Sequence, residues 1–377
     1  MARILALAAA AAAVHALEPH RTLSTMDLHL VDGSSTGAVC LGELLRLPSV
    51  CSATRASCHS APLPLTVAAA LDDPLLADGS HPGFYLRAGA STDNWLIYLQ
   101  GGGWVYDKPS AVSRSKGNLG SSAHWPKTRE GSGMLSADPS SNPDLAHFNV
   151  VFFNYCDGFC FSGNNETAMV HNGSKPVFFR GRRIVDRLLD ELLQKHGLHQ
   201  AKTVLLSGSS AGGLAVYMHA DHVGSILRAA APELTDYRAV ADAGWFPDLI
   251  DVDGTPGLRP VVQWASKLAN SSGNEACLVT MRAVHPRTWP SSCFMANELY
   301  PFVRTPLFIM EPLYGTHNLF DTIGLECTPA GTTGSKRPVC NASQVSQRTI
   351  GHGGRCHYCR CRCYDQWGAI GCQRQVR

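Results

Sequence analysis

The stretch TVLLSGSSAGGLAVYMHAD, residues 203–221, decides the fold. An apolar run typical of a buried strand leads into GSSAG (208–212), which fits the pattern G-x-S-x-G, and a helix with an apolar face is predicted to follow. In such a strand-turn-helix elbow the serine sits on a strained, tight turn, so small residues must flank it. The pattern predicts that Ser210 is a nucleophile above the positive end of a helix dipole. A small-residue turn that only joins a strand to a helix is the alternative.

Three further apolar runs have the same character: WLIYL (95–99), NVVFFN (149–154) and TPLFIM (305–310). Each is continuous rather than alternating, which is typical of buried parallel strands. Between them lie helical or loop-like spans, of which RGRRIVDRLLDELLQKHG (180–197) has the clearest helical period. Strands that alternate with helices predict a single α/β domain with a mostly parallel sheet flanked by helices.

A glycine-rich loop follows the first of these strands, in WLIYLQGGGWVYD (95–107). Three glycines let the backbone approach a bound group and turn its N–H groups inward, as an oxyanion hole requires. Gly103, Trp104 and Ala211 are the predicted donors. A plain connector or a phosphate loop are the alternatives, but the stretch has neither the G-x-G-x-x-G spacing nor a following Lys-Ser/Thr.

The composition and the first residues indicate an exported globular chain. Of the 377 residues, 45% are hydrophobic and 16% charged, and a net charge of +2 gives no global field to hold nucleic acid. MARILALAAAAAAVHA (1–16) is predicted to be a signal peptide cleaved near Ala16, with a buried alanine-rich helix as the alternative. No later segment is long and apolar enough to cross a membrane.

Fourteen cysteines fit an oxidising compartment, and Asn-X-Ser/Thr sequons begin at Asn165, Asn172, Asn270 and Asn341. We expect a secreted monomer, extracellular or in a cell wall.

Several motifs follow one another in the order and spacing of a known family. They are NWLIYLQGGGWVYD (94–107), GSS (120–122), FNYCDGFCFSG (153–163), FRGRRI (179–184), LLSGSSAGGLAVYMHAD (205–221) and ADAGWFPD (241–248). From about Gly83 to about Gln347 the chain resembles the pectin acetylesterase and Notum family of secreted carboxylesterases. The resemblance implies an α/β-hydrolase-like fold, a Ser-His-Asp triad and the removal of an acyl group from an ester without a cofactor. By position it implies Ser210 as the nucleophile and Gly103, Trp104 and Ala211 as the oxyanion hole. It also implies the disulfides Cys277–Cys293 and Cys327–Cys340.

The acid of the triad is missing from its place. The resemblance puts an aspartate after the strand at 305–310, in a segment similar to N-x-x-Y-D-x-W-Q, and this chain has Gly315 there. A glycine can neither orient an imidazole nor stabilise its charged form. Either Glu311 or Asp321 substitutes for it, or the role is unfilled.

The base is not assigned either. The family motif S-C-x-x-H-C-Q is not visible after Arg348, although His317, His352 and His357 are present. A change of reading frame or splice choice near Gln347 is one hypothesis for this tail. Cys356, Cys359, Cys361 and Cys363 form a cluster that includes a C-x-x-C pair. A structural zinc site usually needs a second ligand pair at a loop's distance, and only Cys372 lies beyond the cluster, so we predict no metal.

Four segments are thus expected: a signal peptide (1–16), an irregular segment (17–82), the α/β-hydrolase domain (83–347) and a Cys/Arg-rich tail (348–377). Within the domain, the polar span 106–147 is predicted to be an ordered active-site loop. His219 and Asp221 lie too far along the elbow helix to serve Ser210 and are expected to be core or surface positions.

The sequence favours a secreted ester hydrolase whose substrate is an O-acetylated polysaccharide such as pectin. A lipid-protein deacylase resembling Notum is an alternative within the same class. The alternative from another class is a catalytically impaired protein that binds a glycan or another ligand, because no acid and no base can be recognised in the sequence.

Overall fold

The described residues form a mixed β-sheet. The structure is a computed structural model that describes residues 25–33, 40, 80–251, 254–312, 327 and 369–372. Its nine strands are β1 Thr25–Leu30, β2 Gly83–Arg87, β3 Asn94–Leu99, β4 Thr128–Glu130, β5 Asn149–Phe153, β6 Thr203–Ser209, β7 Asp236–Asp242, β8 Leu307–Pro312 and β9 Ala369–Cys372. They are ordered β4-β1-β2-β5-β3-β6-β7-β8-β9 across the sheet.

The centre of the sheet is parallel, as predicted. β5, β3, β6, β7 and β8 run in one direction, whereas β4, β1 and β2 on one flank and β9 on the other pair antiparallel. In a parallel sheet the carboxyl ends of the strands meet at one edge, which is where open α/β sheets bind their ligands. The turn after β6 and the loop after β3 therefore open on the same edge.

Both faces of the sheet are covered, which explains the continuous apolar runs. The helices are α1 Lys108–Arg114, α2 Gly181–Lys195, α3 Ala211–Ala230, α4 Arg259–Ala269, α5 Glu275–Val284 and α6 Ala296–Leu299. Successive strand residues point to opposite faces. Ile97 and Val151 accordingly join the larger core, together with α2 and α3, while Leu96 and Val150 join a second, smaller core.

The span 106–147 is ordered, and it serves the sheet as well as the loop edge. It contains α1, β4 and two short 3-10 turns. Leu135 belongs to the smaller core, where it lies with Phe148 against the second face of the sheet. Part of the span predicted as an active-site loop is therefore a cover for this face.

One expectation about the N-terminal part was wrong. Residues 17–82 were predicted to be irregular, yet Thr25–Leu30 is β1 and pairs with β2. TMDLHL alternates polar and apolar residues, and only Met26 among them is fully buried. The strand therefore lacks the continuous apolar run that is typical of a central strand. The sheet therefore begins before the predicted domain boundary at residue 83.

Disulfides tie distant segments to this sheet. Cys277 pairs with Cys293, as the resemblance implied. Cys40 pairs with Cys156, which anchors the N-terminal part beside the end of β5. Cys327 is also disulfide-bonded, and Cys340 lies outside the described residues. Within the part of the chain that is described, no helix is both long and apolar enough to span a bilayer.

The two disulfides should differ in how much they stabilise the fold. Cys40–Cys156 closes a loop with a sequence separation of 116, and Cys277–Cys293 one of 16. Chain entropy then predicts that replacing the first pair by alanine lowers the free energy of unfolding by about 4–5 kcal/mol, and replacing the second by about 3 kcal/mol. Urea unfolding of the two double variants measures both values. A smaller loss for the longer loop would contradict this account.

Candidate active site

Ser210 sits on a strained turn between β6 and α3. Its backbone has φ 58° and ψ −125°, a conformation that costs a non-glycine residue about 1–3 kcal/mol. The turn is held from both sides, because Ser210 N–H donates to the Asp242 carbonyl at 2.9 Å and the Ser210 carbonyl accepts from Leu214 N–H at 3.0 Å. The side chain is half-buried. The predicted strand-turn-helix context of the G-x-S-x-G pattern is thus present.

The glycines around the elbow are required by close contact. A Cβ on Gly212 would lie 2.0 Å from the Leu99 carbonyl oxygen, and one on Gly101 would lie 2.3 Å from the Ser209 carbonyl oxygen. The same Cβ on Gly101 would be 3.1 Å from Ser210 Cβ. The glycine-rich loop after β3 therefore packs directly against the elbow.

The glycine-rich loop has the backbone shape that an oxyanion hole needs. Gly102 and Gly103 adopt φ values of 139° and 62°, which a side chain would strain. Trp104 packs its ring in T-shaped contacts against Phe246 and Phe294, each at 5.0 Å between centroids. Ala211 is the first residue of α3 and is buried. The structure thus brings Gly103, Trp104 and Ala211 to the edge that carries Ser210, and their role as donors stays a prediction.

A carboxyl group lies at the same edge. Glu311, on β8, accepts a hydrogen bond from Trp245 N–H at 2.9 Å through Oε2. Burial raises the pKa of Glu311 to about 7, with a further increase from the charge of Asp242, while the Trp245 N–H opposes the shift. Glu311 is one of the two substitutes that the sequence offered for the acid. Asp321, the other, lies outside the described residues, as does Gly315.

Comparison with known proteins shows the family to which this chain belongs. The family model described as Pectinacetylesterase matches residues 58–351. The chain belongs to the pectinacetylesterase family. Pectin acetylesterase 5 of Arabidopsis thaliana is 37% identical over 239 residues, which cover 63% of this chain and 53% of the relative. Palmitoleoyl-protein carboxylesterase notum1a of Danio rerio is 33% identical over 283 residues, covering 72% of this chain and 54% of the relative.

A solved structure of the same family shows the same fold. The Wnt deacylase Notum from Drosophila superposes with a TM-score of 0.60 at 26% sequence identity, covering 77% of this chain and 72% of that one. The α/β-hydrolase-like fold that the resemblance implied is thereby confirmed. The chain spans about half the length of the curated relatives that it matches.

The base is not found among the described residues. Within them, the Ser210 hydroxyl has no histidine partner, and His317, His352 and His357 lie outside the described ranges.

His219 and Asp221 are structural, as expected. His219 is fully buried on α3, and burial lowers its pKa to about 3, with further decreases from the charges of Arg182 and His222. Asp221 accepts hydrogen bonds from the N–H groups of Arg304 and Thr305 at 2.8 to 3.1 Å. The carboxylate thus fixes the chain just before β8, away from Ser210.

A buried carboxyl group that the sequence analysis missed shapes the wall of the site. Asp157 is fully buried, and burial raises its pKa, while hydrogen bonds from three backbone N–H groups lower it. The donors are Phe159, Phe161 and Gly163. The turn that they form presents the Gly158 carbonyl to Val105 N–H at 2.9 Å, so Asp157 positions the end of the glycine-rich loop. The Asp-Gly pair at 157–158 indicates a turn, but nothing local shows that it is buried.

The contact between Gly212 and the Leu99 carbonyl predicts a sharp cost for a methyl group. Gly212→Ala is expected to lower the free energy of unfolding by about 3 kcal/mol or more, because backbone must move to admit the Cβ. Gly173→Ala is the control: Gly173 has φ 70° but nothing within 4 Å of the new Cβ, so only about 1 kcal/mol of backbone strain is expected. Equal losses in urea unfolding would contradict the packing argument.

Burial of neutral His219 predicts acid sensitivity. Its folded pKa of about 3 is below the ordinary value of 6.5, so the unfolded chain binds more protons between these values and stability is lost as the pH falls below about 6.5. Each pH unit should cost on the order of 1.4 kcal/mol from this group. His219→Gln should flatten the dependence of unfolding free energy on pH between 4 and 6, and His199→Gln on the exposed surface should not. An unchanged slope in the His219 variant would contradict this.

Proposed function

We propose that this chain is a carboxylic ester hydrolase in which Ser210 is the nucleophile. The observation that carries the proposal is the strained Ser210 backbone at the carboxyl edge of the sheet, with the glycine-rich loop packed against it. Such backbone strain persists only where the surrounding contacts hold the residue in place, and strained residues are concentrated at active sites. The family to which the chain belongs supports the same reaction class.

The reaction follows from the chemistry of this arrangement. Ser210 Oγ attacks the ester carbonyl carbon while a histidine accepts its proton, and the carbonyl oxygen becomes an oxyanion. The N–H groups of Gly103, Trp104 and Ala211 stabilise that charge, helped by the N-terminal dipole of α3. The alcohol leaves with the proton from the histidine. Water then attacks the acyl-enzyme, releases the carboxylic acid and regenerates the serine.

The acyl group is proposed to be small, and the aromatic packing around Trp104 supports this. The Trp104 ring meets Phe246 and Phe294 edge to face, and Phe159 stacks on Phe294 at 5.0 Å between centroids. The three phenylalanines are buried, so their rings occupy the space around the Trp104 side chain. An acetyl group needs little room there, whereas a long acyl chain would have to displace them.

The proposed substrate is therefore an O-acetylated polysaccharide such as pectin. The Arabidopsis relatives are named pectin acetylesterases, and the vertebrate ones palmitoleoyl-protein carboxylesterases. Hydrolysis of a palmitoleoylated peptide is the second candidate within the class. We propose that the chain is exported, and the disulfides Cys40–Cys156 and Cys277–Cys293 support an oxidising compartment.

The test uses the full chain produced through a secretory pathway. Treated with a fluorophosphonate probe, the wild-type protein should be labelled and Ser210→Ala should not, since only an activated serine reacts. Ser209→Ala, which removes the neighbouring hydroxyl, is the matched control and should still be labelled. Acetate release from acetylated pectin should be lost in Ser210→Ala, and a palmitoleoylated peptide should be hydrolysed more slowly.

Other results would support the alternatives. A folded wild-type protein that binds pectin but takes no label would favour a glycan-binding family member without catalysis. Preference for the palmitoleoylated peptide over acetylated pectin would favour a lipid-protein deacylase. Labelling that Ser210→Ala retains would contradict the assignment of the nucleophile. With labelling established, His317→Gln, His352→Gln and His357→Gln identify the base by which of them abolishes it.

A further inference from the structure

Three of the four Asn-X-Ser/Thr sequons lie among the described residues, and the side-chain amides of their asparagines have different surroundings. These sequons begin at Asn165, Asn172 and Asn270. An oligosaccharide joined to an asparagine is bulky and belongs on the surface, so the folded protein must leave room beside the amide nitrogen. The exposure and the hydrogen bonds of each amide therefore distinguish sequons that the sequence pattern treats alike.

The amide of Asn165 is used within the fold. Asn165 is half-buried, and its Nδ2 donates to the Leu268 carbonyl at 2.7 Å, while its Oδ1 accepts from Thr167 N–H at 3.0 Å. Beside it, Asn164 N–H donates to the Ala269 carbonyl at 2.9 Å. A sugar on Nδ2 of Asn165 would replace one of its two hydrogens and would crowd the last turn of α4.

Asn270 joins the same two segments from the other side. It lies just past the end of α4, and its Nδ2 donates to the Asn164 carbonyl at 3.1 Å. The hydroxyl of Ser272, the third residue of this sequon, donates to the Ser162 carbonyl at 2.8 Å. Although Asn270 is exposed, its sequon is therefore bonded at both the acceptor amide and the hydroxyl.

Asn172 stands at the tip of a tight turn. Ser174 N–H donates to the His171 carbonyl at 2.9 Å, and Asn172 and Gly173 have φ values of 48° and 70°. Positive φ at both central residues defines a type I′ turn, for which Asn-Gly is a preferred pair. The turn is held by the backbone, so the Asn172 side chain is not needed to maintain it.

The space around Asn172 is open. Asn172 is exposed, and within the described part of the chain its side-chain amide has no hydrogen-bond partner. A Cβ on the neighbouring Gly173 would meet nothing within 4 Å. The turn also borders a cavity of about 220 Å³ that it shares with α1. A sugar bonded to Nδ2 of Asn172 would therefore break no hydrogen bond and displace no packed side chain.

We propose that Asn172 is the N-glycosylation site among these three sequons, and that Asn165 and Asn270 remain unmodified in the folded protein. The donor is a lipid-linked oligosaccharide diphosphate of the secretory pathway. Nδ2 of Asn172 forms a bond to the anomeric carbon of the sugar, the bond from that carbon to the diphosphate oxygen breaks, and the amide loses one proton. The inference goes beyond the ester hydrolase function and rests only on the proposed export.

The experiment measures the occupancy of each sequon in the full chain secreted by eukaryotic cells. Release of the glycans by peptide-N-glycosidase in heavy-oxygen water converts each glycosylated asparagine to a labelled aspartate, which peptide mass spectrometry locates. Asn172 should carry the label in most molecules, and Asn165 and Asn270 in a small minority. Ser210→Ala should give the same pattern, because the modification does not depend on catalysis.

Matched variants separate the modification from a structural role. Asn172→Asp removes the acceptor amide but keeps a residue that tolerates the left-handed conformation, so it should lose the glycan and melt like the enzymatically deglycosylated wild type. Asn165→Asp and Asn270→Asp should keep the wild-type glycan and lower the melting temperature. In both, a carboxylate oxygen would face the carbonyl that the amide N–H now binds.

The outcomes distinguish this proposal from the proposed function. A secreted protein in which Asn172 is unmodified overturns the proposal, and so does one in which Asn165 or Asn270 has an equal or higher occupancy. If that protein is still labelled at Ser210 by the fluorophosphonate, the proposed function stands. A folded chain that stays in the cytosol and carries no glycan overturns the proposed export together with this proposal.

Discussion

The strained backbone of Ser210 is the constraint on which the rest of the structure depends. A serine at φ 58° and ψ −125° is held there by the Asp242 carbonyl, which accepts its N–H, and by the first turn of α3. This bond requires β7 to lie beside β6, and the tight turn requires Gly212 to touch the end of β3. The turn thus depends on β3, β6 and β7 lying side by side and on glycine at positions 101 and 212.

Two carboxyl groups, one buried and one half-buried, hold other loops of the molecule in place. Asp157 binds three backbone N–H groups and so shapes the turn whose Gly158 carbonyl holds Val105. Asp221 binds the chain before β8 in the same way, and the start of β8 sets the height of Glu311. Because buried polar groups must be satisfied, each of these carboxylates allows few arrangements of its loop. Asp157 therefore fixes the edge of the sheet that carries Ser210, and Asp221 fixes the opposite edge, where β8 begins.

The sequence predicts the parts of this protein whose signals are local. Continuous apolar runs predict β3, β5, β6 and β8. The first three are largely buried, and strands covered on both faces carry few polar residues, whereas β8 is only half-buried. The sequence does not predict β1 and β7, because TMDLHL and DYRAVAD are not continuously apolar. The pairing of Cys40 with Cys156 and the burial of Asp157 depend on distant segments that only the fold brings together. The elbow can be predicted because the tight turn at Ser210, its small flanking residues and the start of a helix all lie within a few positions of one another.

The acid–base partners illustrate the same limit. The sequence shows that position 315 lacks the aspartate of the family pattern. The place of Glu311 in the sheet depends on strand register, which cannot be read from the sequence.

The measurement that tests the central claim most directly is acid-quench mass spectrometry after rapid mixing of the full chain with 4-nitrophenyl acetate. The account predicts a transient acetyl group on the peptide that contains Ser210. Steady release of 4-nitrophenol with the acetyl group on another residue, or no acetylated peptide at any time in the folded protein, would contradict it.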